Sequence, residues 1–335
     1  MNDLTEEFLL EQKKEKRTLS LLSNFGALTI LSFSFIGVLI SLGLTYFPTF
    51  SAYCRSNYNF YLCFDILCSF VYLFLPFLAL FFIERTVTPQ KFELPLSFPK
   101  QKGRAAILVF ACIALCVAGS YITNYVVLFT EDITGVEFLY ETYNTPAANN
   151  FFGRGAYIIR MAIFPAIVEE FAMRGVIMTP LRRYGDKFAI LMTSLMFGLM
   201  HGNLVQLPFA FMAGFALAYA VIQTNSLWTS IFIHLANNML SVIQMFIVED
   251  YGEESTLILI PVVAVFIIGI TCIIIWVKLM PKWKLRQSNA LTLKGSTIYG
   301  KYLFSPGMII AILYMLSQSL LATDKGSELM ARFFG

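Results

Sequence analysis

Long apolar runs separated by short charged clusters set the pattern of the chain. A helix needs about 20 apolar residues to cross the hydrocarbon core of a bilayer. On that ruler nine spans are predicted, near 22–48, 59–83, 105–129, 155–178, 188–203, 206–223, 227–248, 256–277 and 303–322. The fifth and sixth are short, and the fourth is polar enough to escape a hydropathy plot. Pro306 and Gly307 interrupt the start of the ninth, whose loss would move the carboxyl-terminal segment to the other side of the membrane.

Composition agrees with that pattern. The chain has 335 residues, 58% hydrophobic and 13% charged, and its mean hydropathy is +0.70, values that describe a chain solvated mostly by lipid. The expected fold class is all-α, a polytopic bundle of about eight to nine transmembrane helices. A net charge of +3, with the basic residues scattered between apolar runs, gives no surface for nucleic acid. Cys54, Cys63, Cys68, Cys112, Cys116 and Cys272 form no CxxC pair and read as packing residues. The first eighteen residues carry Glu6, Glu7, Lys13, Lys14, Lys16 and Arg17, unlike a cleavable signal peptide, so the first span is expected to be retained. Leu4, Phe8, Leu9 and Leu10 among those charges fit either a short amphipathic surface helix or a solvated tail.

Lys and Arg accumulate on cytoplasmic loops, and here they alternate. Lys13, Lys14, Lys16 and Arg17 precede the first span, and Arg85, Lys91, Lys100, Lys102 and Arg104 fill the second loop. Arg182, Arg183 and Lys187 fill the fourth, and Lys278, Lys282, Lys284, Arg286, Lys294 and Lys301 the eighth. The third loop is acidic, with Glu131, Asp132, Glu137 and Glu141, and so is the seventh, with Glu249, Asp250, Glu253 and Glu254. The amino-terminal segment is therefore expected in the cytoplasm and the carboxyl-terminal one outside. No period of 20 to 50 residues and no matched pair of broken helices is visible.

Both histidines of the chain, His201 and His234, lie within apolar runs. Ionisable side chains at that depth usually face a cavity or a partner. In the fourth span Glu170 and Arg174 are four residues apart, on one helix face and able to pair, whereas Glu169 points about 100° away. Phe197 with His201, and His234 with Asn238, repeat the four-residue spacing in the fifth and seventh spans. At 1.5 Å per residue from the cytoplasmic ends, Glu169 is roughly 14 Å deep, His234 roughly 11 Å and His201 roughly 20 Å. The three can meet if the fifth span is tilted or kinked. A carboxylate and an imidazole are the minimum set for activating water, and His with Asn can donate hydrogen bonds to a developing oxyanion. Together they describe amide hydrolysis. Glu169, His201 and His234 would equally make a two-His, one-carboxylate zinc site with a position left for water, although HExxH is absent.

Glu169-Glu170-x-x-x-Arg174, Phe197-x-x-x-His201 and His234-x-x-x-Asn238, in that order and each in an apolar helix, resemble the three motifs of the CPBP intramembrane proteases. This is the CAAX-protease and bacteriocin-processing (Abi) family, which includes the Ras-converting CAAX endopeptidases. The likeness covers about residues 150 to 245. It divides the chain into an amino-terminal segment with three transmembrane helices (1–150), a CPBP-like catalytic core (151–248) and carboxy-terminal transmembrane helices (249–335). The resemblance implies a membrane endopeptidase in which Glu169 and His201 activate water, and His234 and Asn238 form the oxyanion site. Glu170, Arg174 and Phe197 are then structural support. It requires no cofactor, with zinc as the alternative. A peptide or protein precursor in the membrane is the implied substrate, a small bacterial one by preference, and the bacterial cell membrane the implied location.

Two other functions use the same residues. Glu169, His201 and His234 could relay protons in a transporter, against which stand the lack of repeats and the Asn of the third motif. A non-catalytic adaptor or immunity protein could keep the scaffold and bind a peptide. Arg160 and Asp65, near span ends, are expected to snorkel to the interface. Gly198, Gly202 and Gly214 are expected to permit close helix approach.

Overall fold

The computed structural model describes residues 2–88, 93–138, 150–203, 205–279, 285–288, 292–293, 295–326 and 328. Lys91, Glu141, Lys282, Lys284 and Lys294 of the charge pattern lie outside them. The helices are α1 (Asn2–Tyr46), α2 (Pro48–Ser56), α3 (Tyr58–Val87), α4 (Lys102–Thr134), α5 (Phe151–Tyr184) and α6 (Asp186–Met200). They continue as α7 (Gln206–Thr224), α8 (Leu227–Tyr251), α9 (Leu259–Leu279), α10 (Gly295–Leu303) and α11 (Pro306–Leu321). The only pairing of extended backbone among the described residues is an isolated bridge between Phe138 and Thr323. The protein is thus an all-α multi-pass membrane bundle.

Among the described residues seven helices are long and apolar enough to span a membrane, and α10 with α11, bent by 60° at the Phe304–Ser305 break, make an eighth if the bent pair is one span. The bend falls at Pro306, which starts α11 and cannot continue the hydrogen-bond ladder of the helix before it. The predicted fifth span is corrected. Its 15 residues, Asp186–Met200, reach only about 22 Å, short of the hydrocarbon thickness. It survives as one limb of a hairpin with α7, and most of it is buried: Phe188, Met192, Met196 and Phe197 all lie in the core. The amino-terminal segment forms neither a separate surface helix nor an unstructured tail, because α1 runs unbroken through it into the first span.

Among the described residues each π turn precedes a proline. Phe70–Phe74 comes before Pro76, Ile159–Ile163 before Pro165, and Phe171–Ile177 before Pro180. Proline has no N–H and its ring crowds the carbonyl four residues back, and a wider turn relieves that crowding. Two of the three turns flank Glu169 and Glu170, so the prolines set how the motif residues are presented.

Loops that share a charge sign also share an end of the bundle. At one end Arg183 lies 3.5 Å from Glu15, Thr292 donates from its backbone to Glu15, and Asp186 accepts from Arg182 Nε and from the backbone of Arg286. Leu227 N–H and Trp228 Nε1 donate to the Pro95 and Leu96 carbonyls. At the other end Asp324 N–H meets the Glu137 carbonyl and Arg154 pairs with Asp250. Gly198 and Gly214 sit where α6 and α7 are closest: a Cβ on Gly214 would stand 3.0 Å from Ser194 Cα. Gly202 is different. Its φ of +66° makes it the turn that ends α6 after His201, a conformation glycine adopts without penalty.

Candidate active site

The motif residues surround a cavity of about 680 Å³ between α3, α4, α5, α7 and α8, with Glu169, Phe197, His201, His234, Asn237 and Asn238 in its wall. The two adjacent glutamates part company at this wall. Glu170 is completely buried, and Nη1 of the equally buried Arg174 donates to its Oε1 at 2.7 Å. Arg174 Nη2 donates to the Gly214 carbonyl at 3.1 Å, and its guanidinium lies 4.5 Å above the Phe197 ring. Glu169 instead faces the cavity with its side chain 15% exposed.

His234 touches both carboxylates. Its Nδ1 is 2.9 Å from Glu170 Oε1 and its Nε2 is 3.9 Å from Glu169 Oε2. A carboxylate only accepts, so Nδ1 carries the proton of the shorter contact and Nε2 is the ring atom nearer Glu169. His201 is held in the same way. Its Nδ1 lies 2.8 Å from the Phe197 carbonyl, which also only accepts, and Nε2 is again the uncommitted nitrogen. Phe197 stands edge-on to both imidazoles, 4.9 Å from His201 and 5.9 Å from His234 between ring centres. One aromatic ring therefore packs against Arg174, His201 and His234 at once. Asn238 follows His234 by one turn of α8, and Asn237 Nδ2 reaches its Oδ1 at 3.4 Å.

Among the described residues no group of three His, Cys, Asp or Glu side chains is disposed to hold a metal ion. Glu169, His201 and His234 line one cavity without converging on one point. As placed, the donor set does not fit zinc.

The cavity contains polar residues that motif reading overlooks. Ser241 and Gln244 extend the stripe begun by His234, Asn237 and Asn238 along α8, and Ser120 and Asn124 face it from α4. The stripe on α8 was readable as polar residues three and four apart in an apolar helix; those on α4 carry no comparable signal. The snorkelling assignment of Arg160 and Asp65 is corrected. The two pair with each other between α5 and α3, Arg160 Nε on Asp65 Oδ2, and Arg160 borders the cavity. An opposite charge on a neighbouring helix satisfies the guanidinium without a reach to the interface.

The all-helical bundle thus places a carboxylate, two imidazoles and two amides around one internal cavity. Residues 152–240 match the family described as Type II CAAX prenyl endopeptidase Rce1-like. A Bacillus subtilis (strain 168) protein named "Putative membrane peptidase YdiL" is 34% identical over 101 residues, 30% of this chain and 41% of that protein. The chain thus matches less than half the length of this curated relative. No solved structure shows significant similarity. The matched segment holds all three motifs, Glu169-Glu170-x-x-x-Arg174, Phe197-x-x-x-His201 and His234-x-x-x-Asn238.

Proposed function

We propose that the protein is a membrane-embedded endopeptidase that hydrolyses a peptide bond in a membrane-associated precursor. The observation that carries this reading is the meeting of Glu169, His201, His234 and Asn238 at one cavity wall, although they come from three separate helices. Glu169, exposed to the cavity and without a lysine or arginine partner in the contacts described, accepts a proton from water as the water oxygen attacks the carbonyl carbon. His201, through Nε2, orients that water. The carbonyl oxygen becomes an oxyanion and takes hydrogen bonds from Asn238 Nδ2 and from His234, which Glu170 holds in place through Nδ1. The C–N bond then breaks as Glu169 returns the proton to the leaving nitrogen.

Two magnitudes make the scheme adequate. A positioned general base contributes about 10²- to 10⁴-fold, and one oxyanion donor about 10²- to 10³-fold. No step is routed through a metal, in keeping with the donor geometry. By the charge rule the end of the bundle with Arg182, Arg183 and Arg286 faces the cytoplasm, and a small bacterial peptide precursor is the favoured substrate. The test compares the membrane peptidomes of wild type and Glu169→Ala at matched protein levels. Accumulation of uncut precursor in the variant is expected; identical peptidomes from the two strains would defeat the proposal.

A further inference from the structure

A second cavity, of about 270 Å³, lies at the basic end of the bundle, apart from the one that holds the motif residues. Its walls come from the loop before α4 and from three helix ends: Lys100 and Arg104 where α4 starts, Gln223 in the last turn of α7, and Trp276 near the end of α9. The loop is pinned. The Pro95 and Leu96 carbonyls accept from Leu227 N–H and Trp228 Nε1, and the Phe98 ring stacks on Trp228 with 4.9 Å between ring centres. Ligand cavities begin at about 300 Å³, so this one suits a single small polar group.

One wall attracts an anion. The 33-residue helix α4 turns its positive end towards it. The first bond of that helix runs from Ala105 N–H to the Gln101 carbonyl, which leaves the N–H groups of Lys102, Gly103 and Arg104 ahead of it. Gln101 does not cap them, because its Oε1 takes Arg104 Nη1 at 2.6 Å. The approach is open: a Cβ on Gly103 would meet nothing within 4 Å. Lys100 is exposed beside this turn, and no Asp or Glu is among the described residues of the wall.

The facing wall calls for a donor. Gln223 is 4% exposed and its Oε1 has no hydrogen-bond partner, a costly state for a buried acceptor. α7 ends one residue later at Thr224, with Asn225 left-handed at φ +50°, and the carbonyls of a last helical turn are acceptors as well. With no carboxylate in the described wall to receive an ammonium, a neutral hydroxyl is the matching donor. Trp276 and the Phe98–Trp228 stack are rings of the kind that gather at headgroup level, where basic clusters attract anionic lipid.

We propose that this cavity binds a glycerophosphoryl anion, the headgroup of an anionic phospholipid, with its phosphate at the start of α4 beside Lys100 and a glycerol hydroxyl on Gln223 Oε1. The site does not depend on the peptidase reading. A soluble glycerophosphodiester presents the same chemistry.

The experiment uses the full chain in a neutral detergent and measures binding of dioctanoyl lipids by native mass spectrometry. Phosphatidylglycerol is compared with phosphatidylmethanol, which has the charge without the hydroxyls, and with zwitterionic phosphatidylcholine. Wild type is expected to hold phosphatidylglycerol at least about tenfold more tightly than phosphatidylcholine, the worth of one charge-assisted hydrogen bond. Over phosphatidylmethanol the advantage should be at least about threefold, the worth of one neutral bond. Lys100→Glu, at an exposed position, should abolish the preference over phosphatidylcholine. Gln223→Leu should bring phosphatidylglycerol down to the level of phosphatidylmethanol and leave phosphatidylmethanol itself unchanged, which a general loss of structure would not do. Glycerophosphoglycerol identifies the source: displacement of the lipid at equal concentration marks a soluble ligand, and displacement only in large excess marks the lipid. Equal binding of phosphatidylglycerol and either comparison lipid by wild type overturns the inference, and so does a preference over phosphatidylcholine that survives Lys100→Glu.

Discussion

His234 Nδ1 lies 2.9 Å from Glu170 Oε1, which ties the first and third motifs together through the glutamate that does not face the cavity. Spacing alone pairs Glu170 with Arg174. The tertiary contact makes Glu170 a hub between a buried arginine and a histidine that reaches the cavity, and leaves Glu169 with the cavity-facing role. The difference between two adjacent carboxylates follows from one helical step.

Breaking the hub should cost stability. With both side chains fully buried, Glu170→Ala strands the Arg174 charge, a loss of about 3 to 5 kcal/mol for a buried pair. Arg174→Ala should cost a similar amount, and the double variant less than the sum. Thermal unfolding in detergent measures all three, and strict additivity would contradict the coupling.

Glu169→Gln should separate activity from stability. The side chain lines the cavity, so the melting temperature should stay within about 0.5 kcal/mol equivalent of wild type, as for sites outside the packed core. Peptide cleavage should fall by about 10²-fold or more. A melting temperature as depressed as that of Glu170→Ala would show that the two glutamates share one structural job.

Asn238→Ala should lower kcat by about 10²- to 10³-fold with little change in KM, the signature of a group that acts in the transition state. Asn237→Ala should lower it only a few-fold. Steady-state kinetics on one cleaved peptide distinguish the two, and a reversed order would move the oxyanion site to Asn237.

Activity should survive chelation. Incubation with 1,10-phenanthroline followed by buffer exchange should leave cleavage within about twofold of the untreated protein, because the donor geometry does not suit a zinc ligand set. Loss of activity restored by added zinc would reinstate Glu169, His201 and His234 as ligands.

The hairpin of α6 and α7 should be intolerant at Gly214. A Cβ there meets Ser194 Cα at 3.0 Å, and the Gly214 carbonyl is an acceptor for Arg174. Gly214→Val should destabilise by about 1 to 3 kcal/mol, read as a lower unfolding temperature, while Gly43→Val, whose glycine has no atom near its Cβ position, should not.

Most of the architecture is legible in the chain because a lipid solvent leaves few choices. Apolar length selects helices, every backbone polar group being satisfied within the segment, and each predicted span corresponds to a helix. The errors have local causes. The 188–203 run is apolar for the sake of the protein core rather than for lipid, and composition cannot tell the two apart. Arg160 and Asp65 are 95 residues apart, so no spacing rule could join them. Gly202 sits at a helix end, where its φ of +66° rather than its small size explains it.

By itself the sequence determined the helical class, the candidate residues and their grouping in fours, since helix periodicity is a property of the local chain. Which groups meet was decided by tertiary packing alone. The bond from His234 to Glu170, the contact of Phe197 with three motif side chains and the run of the cavity to Arg160 all depend on how helices pack. Those positions follow from the π turns before Pro76, Pro165 and Pro180 and from the close approach at Gly214. A one-residue shift along α5 that put Glu170 in the place of Glu169 would turn Glu169 away from the cavity.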